Sequence, residues 1–517
     1  MKSRFRGRRG LACLLCISLF SGPAGVVPAS AQNLPNLGEE SATALPPQME
    51  KRIGESYYRD LRRDPAFLDD PELTAFVTEL GRRLIAAGPE PGMEVEFFVM
   101  RDPSINAFAM LGGYIGANTG LIIASQSESE VASVFGHEIA HLTQHHIARS
   151  VSAGQRASIV SMVALALAIL AARSNSQVAA GAAAGAQAFQ VQSQLAYSRD
   201  FEREADRVGF DMLQKAGFDV SAMPLFFERL QRAGRVYDSS APVYVRSHPL
   251  TTERIADVRN RVQDARYRQH VDTLSYHLAR AKVRATGDGG VDAVRDAIGF
   301  FKAQLSNRSF SNEAATRYGL AQAHLLARDF GAAAQSLAVL PGTVAHPMID
   351  ALAARIKAGA GDLPGAVDIY RRALAKFPHV RYLETALVDA LQGTGRHVEA
   401  LAVLSAQAQG PRTDPRVFEL EARSHAALGK PMSQHQALGE FYSRTASAQA
   451  ALEQFQLARC AGGGDFYQQS IIDARIRDTW ERLITERADR GEGGNSGAAG
   501  GGARGTQPVQ QIPMRCR

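Results

Sequence analysis

The amino-acid sequence predicts a mainly α-helical protein with a small β-sheet, in which a mixed N-terminal domain is followed by an α-solenoid. Three observations support this prediction. Apolar residues recur at helical spacing over most of the chain, residues 95–123 have the composition of strands broken by glycine, and a turn motif returns at a nearly constant interval in the C-terminal half. The 517 residues exceed what one ordinary hydrophobic core accommodates, so at least two domains are expected.

The first residues of the chain predict a secretory signal peptide. Five basic residues within positions 2–9 precede an apolar run over 11–20 and small residues that end at Ala31. Residues 1–31 are therefore expected to be removed on export. Two cysteines then remain, Cys460 and Cys516, which could form a disulfide bridge or stay as two free thiols. Without those five charges, 53 basic residues face 52 acidic ones, a balance that argues against a nucleic-acid partner.

The N-terminal domain is expected to begin with helix and to continue into a short β region. Residues 32–48, rich in proline and asparagine, predict a flexible leader. Helical periodicity then extends from about Glu50 to Ala87. Val95–Met100 predicts one strand, and glycines divide the segment 105–123 into further short β segments.

A second helical region starts after Ser127. Ser127 and Glu130 match a capping box in front of an apolar helical face, which predicts an amphipathic helix. Farther on, the uncharged run over 158–172 is shorter than the roughly 20 residues that cross a bilayer as a helix. It predicts a buried helical hairpin together with an Ala/Gly-rich stretch, and the alternative is a peripheral membrane contact through residues 158–190.

The C-terminal half is repetitive. Turn motifs that start at Arg328, Gly361, Gly395 and Gly429 lie 33, 34 and 34 residues apart, each between two apolar helices. This is the tetratricopeptide period, and a generic helical bundle would not keep the spacing so constant. The pattern predicts an α-solenoid over residues 271–486, whose groove would hold peptides or partner proteins. Residues 487–517 are rich in glycine and alanine and predict a disordered tail.

A metal-binding motif lies on the helix that follows Ser127. His137 and His141 are four residues apart, so their imidazoles share one helical face and can hold one ion. Glu138 lies beside the first histidine and can accept a proton from water, whose pKa zinc lowers to near 7. The motif predicts a zincin-type metalloprotease domain over residues 49–270, with one Zn²⁺ per chain.

A catalytic zinc ion needs a third protein ligand. His145 lies roughly 12 Å along the helix from His137, too far for one ion, so it and His146 are expected to be solvated or near the site. Glu202 and Asp206 share a face of the next polar helix, where one carboxylate could bind zinc while the other orients a ligand histidine. Spacing alone favours a solvated acidic surface helix instead.

These motifs resemble the HtpX and CAAX-prenyl-protease group of metallopeptidases. The resemblance extends from His137–His141 to the E-x-x-A-D segment that begins at Glu202, and includes segments near residues 106–121 and 247–256. It implies that His137, His141 and Glu202 bind zinc, that Glu138 is the general base, and that Asp206 supports a ligand histidine.

The resemblance also implies how substrates bind. The strand Asn106, Ala107, Phe108 and Ala109 would border the cleft and bind a substrate in extended form through main-chain hydrogen bonds. The alternative is that these residues belong to an ordinary sheet core. Both roles can hold, because successive side chains of a strand point to opposite faces of the sheet.

Within that group, members with a signal peptide and C-terminal repeats imply a periplasmic protease for protein quality control, peripheral to the outer membrane. Its clients would be unfolded or misassembled outer-membrane proteins, and the repeat groove would bind the assembly machinery. Two other hypotheses stay open: a chaperone or scaffold that seldom cleaves, and a secreted peptidase for small peptides.

His248 is a candidate regulatory or transition-state residue. Pro249 favours an extended conformation at position 248, so the imidazole is expected to project from a loop. It could occupy the fourth zinc position as a latch, or it could stabilise the oxyanion of the reaction. An ordinary turn histidine is the third interpretation.

Overall fold

The computed structural model describes residues 45–150, 199–236, 243–287, 289–341, 343–405, 414–445 and 448–489. The predicted signal peptide, most of the leader, the run over 158–190 and the predicted tail from residue 490 onward lie outside the described residues. Residues 487–489, predicted as the start of the tail, are helical. Within these ranges, none of the helices combines the length and the hydropathy that a membrane crossing requires.

The regular elements up to residue 264 are α1 Pro47–Leu61, α2 Pro71–Ala86, β1 Glu96–Met100, β2 Ala107–Met110, β3 Tyr114–Asn118, α3 Thr119–Ala124, α4 Glu128–Thr143, α5 His146–Ser150, α6 Arg199–Lys215, α7 Ala222–Val236, α8 Val243–Ser247 and α9 Thr252–Asp264.

The helical periodicity predicted from Glu50 to Ala87 corresponds to two helices, α1 and α2. The second begins at a strong start signal, because the Asp70 carboxylate accepts hydrogen bonds from the main-chain N–H groups of Glu72 and Leu73 and Pro71 occupies the first turn. The cap at Asp70 therefore divides into two helices a segment that helical periodicity alone predicts as one helical region.

The described sheet has the strand order β1-β3-β2. Strand β1 is parallel to β3, whereas β2 is antiparallel to β3 and lies at the edge. The prediction of a further β segment over 121–123 is wrong, because these residues belong to α3. The chain leaves the sheet where the Thr119 hydroxyl and the Gly120 N–H both donate to the Asp102 carbonyl, each at 2.9 Å.

Helix α4 carries the metal-binding motif and is buried along its whole length. The predicted amphipathic helix is therefore a central core helix, packed between the sheet and helices on its other sides. The Ser127 hydroxyl caps it by accepting from the Glu130 N–H, as predicted. The Glu130 carboxylate instead accepts from the Gln126 N–H and pairs with Arg229.

Helices α4 and α6 cross in close contact through two glycines. A methyl group on Gly209 would lie 2.9 Å from the carbonyl carbon of Gly136, a distance that real side chains do not adopt. Because neither position has a side chain, the two backbones can approach each other directly. The approach brings the residues next to Gly136 on α4 opposite the acidic face of α6.

The C-terminal half is a stack of antiparallel helix pairs, which confirms the predicted α-solenoid. Arg328, Gly361, Gly395 and Gly429 have φ values of 60°, 91°, 75° and 66°, so each predicted turn begins with a left-handed residue that ends one helix. The helices are α10 Leu274–Thr286, α11 Val291–Asn307, α12 Glu313–Leu326, α13 Phe330–Ala338, α14 Pro347–Gly359, α15 Leu363–Lys376, α16 Arg381–Gly393, α17 His397–Ser405, α18 Pro415–Ala427, α19 Pro431–Thr445, α20 Ala448–Ala461 and α21 Phe466–Asp489.

A buried carboxylate joins the two halves of the molecule. Glu72 on α2 is 5% exposed and lies 2.6 Å from the Lys282 ammonium and 3.1 Å from the Arg355 guanidinium. The Tyr318 hydroxyl donates to the same carboxylate at 3.2 Å. Glu72 of α2 is thus tied to three repeat helices, α10, α12 and α14. These contacts pack the repeats against the N-terminal half.

Cys460 lies in α20 and is disulfide-bonded. Cys516, the partner considered in the sequence, lies outside the described residues. The bridge between these two cysteines therefore stays a prediction.

Candidate metal centre

Three segments bring the predicted site residues together. Helix α4 contributes His137, Glu138 and His141, helix α6 contributes Glu202, and the loop after α8 contributes His248. Each of these residues is at most 2% exposed. The predicted acidic helix is thus not a solvated surface helix on its Glu202 face.

The candidate ligand atoms form a small ring that suits a tetrahedral ion. Four ligands at about 2.1 Å from an ion would lie about 3.4 Å from one another. The His137 Nε2 atom lies 3.0 Å from His141 Nε2, 3.3 Å from His248 Nδ1 and 3.4 Å from Glu202 Oε2. All four residues offer ligand atoms within 4.8 Å of one another. Three imidazoles and one carboxylate at these distances fit a zinc-type ion.

His137 is fixed from behind by an acidic partner. Its Nδ1 atom donates to Asp206 Oδ1 at 3.0 Å, which leaves the Nε2 lone pair directed at the ring of ligand atoms. Asp206 is in turn held by Arg254, whose Nε and Nη2 atoms donate to it at 2.7 and 2.8 Å. Arg254 also lies 2.6 Å from Glu202 Oε2, so one guanidinium positions both Glu202 and Asp206.

His141 has a positioning partner that the sequence did not reveal. His145 is exposed and has a φ of 51°, so the chain reverses there and returns His146 to the site. The buried His146 Nδ1 atom lies 2.8 Å from His141 Nδ1, and His146 Nε2 lies 3.1 Å from Glu204. The position of His145 agrees with the expectation of a solvated residue, and His146 lies near the site.

Glu138 is oriented by the edge strand. Its Oε2 atom accepts from the main-chain N–H of Ala109 at 3.0 Å, whereas its buried Oε1 atom has no hydrogen-bond partner among the described residues. Burial raises the pKa of the Glu138 carboxyl, and the neighbouring His248 and His137 oppose that shift. One oxygen is therefore fixed and the other is available to a group from outside the protein.

The pKa values of the histidines follow their surroundings. Burial lowers the pKa of His137, but hydrogen bonds to Asp206 and Glu202 outweigh burial and raise that pKa to about 9. Burial and the neighbouring His137 and His248 hold the pKa of His141 well below its usual value. A metal ion that binds at neutral pH must therefore displace a proton from the site.

Strand β2 presents main-chain groups to the cleft. The Asn118 N–H donates to the Asn106 carbonyl at 3.0 Å, so the even-numbered residues of β2 pair with β3 and Ala107 and Ala109 point to the opposite edge. The bond from Ala109 to Glu138 confirms this direction. Phe108, between them, is partly buried. The four residues predicted as a substrate strand thus include two whose main-chain groups face α4.

A second group of possible ligands is already saturated. Glu128, His270 and Asp272 lie close enough to hold a cation. The Glu128 carboxylate, however, accepts hydrogen bonds from Thr273 N, Thr273 Oγ1 and His270 Nε2 at 3.0, 2.9 and 2.9 Å. Burial raises its pKa, but these bonds outweigh burial and lower it. This group ties the start of α4 to the segment before α10.

Two residues of the site, Arg254 and Tyr244, were not predicted from the sequence, and for His146 only its place near the site was expected, not its contact with His141. Arg254 stands in a segment that resembles the metallopeptidase group. That resemblance indicated that the segment is functionally important, but it did not show that Arg254 contacts Asp206 and Glu202. His146 was considered only as a neighbour of His145. Tyr244 stands four residues before His248, and that helical spacing was the available signal.

Fold and site together define a metallopeptidase that is followed by tetratricopeptide repeats. Residues 71–262 match the pattern of peptidase family M48, and residues 357–424 match that of a tetratricopeptide repeat. The first match runs from α2 to α9 and contains the whole candidate site. The second lies within the α-solenoid.

The chain is also similar to individual proteins, over shares of its length that range from 44% to 86%. It is 30% identical over 453 residues to the β-barrel assembly-enhancing protease of Escherichia coli K12, covering 86% of this chain and 91% of that protein. It is 38% identical over 331 residues to the putative β-barrel assembly-enhancing protease of Vibrio cholerae, covering 63% and 66%. It is 26% identical over 233 residues to the mitochondrial metalloendopeptidase OMA1 of Schizosaccharomyces pombe, covering 44% and 65%. The chain therefore belongs to the family of β-barrel assembly-enhancing proteases, within peptidase family M48, which confirms the resemblance seen in the motifs.

Proposed function

We propose that the chain is a periplasmic zinc endopeptidase that degrades unfolded or misassembled outer-membrane proteins. The observation that carries the catalytic part is the ring formed by His137, His141, Glu202 and His248, with its ligand atoms at tetrahedral spacing. Nitrogen and carboxylate ligands of this kind suit zinc, of which we propose one ion per chain.

Glu138 acts as the general base in this proposal. Zinc, when bound, would polarise the scissile carbonyl and lower the pKa of water. The Ala109 N–H holds Glu138 Oε2, so the buried Oε1 atom is the one that accepts the proton from the attacking water. A carboxyl whose pKa is raised by burial retains a proton more readily near neutral pH and can pass it to the leaving amine.

Substrates would bind in extended form along the free edge of β2. The main-chain groups of Ala107 and the carbonyl of Ala109 face that edge, whereas the Ala109 N–H is taken by Glu138. Main-chain pairing selects an unfolded segment without demanding one sequence. Asn106 supports this role, because its buried Oδ1 atom has no hydrogen-bond partner among the described residues and could accept from a substrate N–H. A protease for unfolded clients of varied sequence needs this kind of contact.

His248 is proposed to hold the enzyme latent. Its Nδ1 atom lies 2.9 Å from Glu202 Oε1 and 3.3 Å from His137 Nε2, among the atoms that would surround the ion. An imidazole at this place completes a four-ligand site and excludes the water that catalysis requires. The same position disfavours the oxyanion role, since the ring lies within the ligand set rather than beside it.

The biological setting rests on the relatives and the repeats. The relatives are named for enhancing β-barrel assembly, and stacked repeats usually bind proteins. We propose that the groove of domain 271–486 binds clients or the outer-membrane assembly machinery, while domain 49–270 cleaves. The signal peptide over 1–31 would direct the protein to the periplasm, and residues 158–190 could add a peripheral membrane contact.

The test compares Glu138→Gln with Glu253→Gln, a control at an exposed glutamate on α9. Both purified proteins would be assayed for zinc and for cleavage of a urea-unfolded outer-membrane β-barrel protein. Glu138→Gln is expected to retain zinc, lose cleavage and co-purify with uncleaved client, whereas the control behaves as wild type. Cleavage by Glu138→Gln at the wild-type rate would reject the proposed base. A variant that lost cleavage yet restored every defect of a deletion strain would favour the chaperone hypothesis.

A further inference from the structure

Tyr244 has a buried hydroxyl group, and its ring packs beside the residues of the metal centre. The side chain is 1% exposed, and its hydroxyl has no hydrogen-bond partner among the described residues. A buried donor without a partner lowers the stability of a folded protein, so such a group in a native structure calls for an explanation. Its position beside catalytic groups suggests that the missing partner is a substrate.

The phenol ring lies among the residues of the proposed catalytic site. Its centroid is 4.8 Å from that of the His248 ring and 6.2 Å from that of the His137 ring. A tyrosine hydroxyl is ordinarily a neutral group that can donate one hydrogen bond.

Two other donors near the centre, Arg254 and the Ala109 N–H, are already engaged. Arg254 donates to Asp206 and to the Pro249 carbonyl and pairs with Glu202. The Ala109 N–H donates to Glu138. The reaction that Glu138 would start places negative charge on the carbonyl oxygen of the scissile peptide, and that oxygen needs a donor that is not already used.

We propose that the Tyr244 hydroxyl is a catalytic hydrogen-bond donor to the scissile carbonyl oxygen. The bond strengthens as this oxygen becomes negatively charged, and no proton is transferred from the tyrosine. The inference rests on the proposed peptidase function and deepens it. It gives Tyr244 a role that is separate from that of His248.

The main chain allows the two residues to act independently. The Tyr244 N–H donates to the Ile105 carbonyl at 3.2 Å, which anchors the tyrosine beside the start of β2. His248 lies one helical turn later, and its imidazole can leave the ligand ring by rotation of its own side chain. The phenol would then keep its place while the latch opens.

The experiment is Tyr244→Phe, with Tyr276→Phe as the matched control. Tyr276 is also buried at 1% exposure, but its hydroxyl donates to the Ser125 carbonyl at 3.2 Å and its ring lies in the core. For Tyr244→Phe we expect kcat to fall about 100-fold with little change in KM and with zinc content unchanged. Affinity for a phosphinic peptide, which mimics the tetrahedral centre, should fall with kcat/KM.

Thermal unfolding of the metal-free protein supplies a readout independent of catalysis. Removing an unpartnered buried hydroxyl should leave Tm unchanged or raise it, whereas Tyr276→Phe should lower Tm and leave kcat unchanged. A kcat within twofold of wild type for Tyr244→Phe would overturn the inference and leave the Glu138 test unaffected. A lower kcat that is accompanied by a lower Tm or by lost zinc would also overturn it, because Tyr244 would then be a packing residue.

Discussion

Asp206 and His137 form a buried hydrogen bond of 3.0 Å between Oδ1 and Nδ1, and this bond orients His137, the first proposed ligand of the metal centre. Because Arg254 holds the same carboxylate, the bond joins α4, α6 and α9 at one point. The strength of metal binding should therefore depend on a residue that does not touch the metal.

Asp206→Asn is expected to weaken zinc binding by about 10- to 100-fold, since the amide removes the charge that stabilises the orientation of His137. Competition with a chelator measures the affinity. Asp200→Asn is the matched control, because Asp200 is on the same helix with a side chain 87% exposed. Equal affinity in both variants would show that the hydrogen bond does not position His137.

Glu202→Ala should lose zinc and activity together, because it removes the carboxylate from the ligand ring. Glu204→Ala, two residues later, should retain zinc, since Glu204 reaches the centre only through His146 and is 29% exposed in its side chain. Metal analysis by atomic absorption separates the two. If both variants lost zinc equally, the choice of Glu202 as ligand would be wrong.

His248→Ala should cleave an unstructured protein at least severalfold faster than wild type, because the latch no longer occupies the fourth position. Zinc content should be unchanged, as three ligands remain. Arg246→Ala, at an exposed position on α8 two residues before His248, is the control. Much slower cleavage would support the oxyanion role instead, and an unchanged rate would leave an ordinary turn histidine.

Glu421→Gln on α18 should change the pH dependence of stability. Burial raises the pKa of Glu421 to about 7, and the nearby Glu440 adds to the shift. The folded state therefore binds the proton more tightly, so stability falls as pH rises from about 4.5 to 7. Replacing Glu421 should raise the free energy of unfolding by about 1 to 3 kcal/mol at pH 8 and leave it unchanged at pH 4.

Urea unfolding at both pH values measures this difference. Glu419→Gln is the control, because Glu419 lies on the same helix, is 43% exposed in its side chain and pairs with Arg423. A stabilisation of Glu421→Gln that was the same at pH 4 and pH 8 would contradict the assigned titration.

Glu72→Gln should destabilise the contact between the two halves by about 3 kcal/mol, because it removes the charge that Lys282 and Arg355 share in a buried setting. Urea unfolding followed by circular dichroism measures the loss. Glu79→Gln, at an exposed position on the same helix, should have no effect. An unchanged midpoint for Glu72→Gln would mean that the apolar contacts alone hold the repeats in place.

Local patterns in the sequence were enough for much of the fold and part of the site. The spacing of His137 and His141 and the 34-residue period both depend on contacts within one helix or one repeat, and both agree with the structure. Glu202 was selected by resemblance, since its spacing to Asp206 describes a surface helix equally well. Its burial depends on α4, which lies about sixty residues earlier in the chain.

The remaining features depend on tertiary contacts that no local pattern encodes. Residues 121–123 have the composition of a strand, but they belong to a helix. That helix begins at Thr119 and Gly120, which both donate hydrogen bonds to the Asp102 carbonyl. Arg254 becomes important only when α9 packs beside α6. His146 reaches His141 only because His145 adopts a left-handed conformation, which its residue type does not predict.

The glycine contact between Gly136 and Gly209 has a consequence for recognising distant relatives. The motif His-Glu-x-x-His alone occurs by chance in unrelated chains. A glycine just before this motif and a second glycine seven residues after a candidate carboxylate ligand together indicate two helices in backbone contact. A chain that has both glycines can place that carboxylate at its histidines. A chain with a larger residue at either point must separate the helices, and its third ligand should be sought elsewhere.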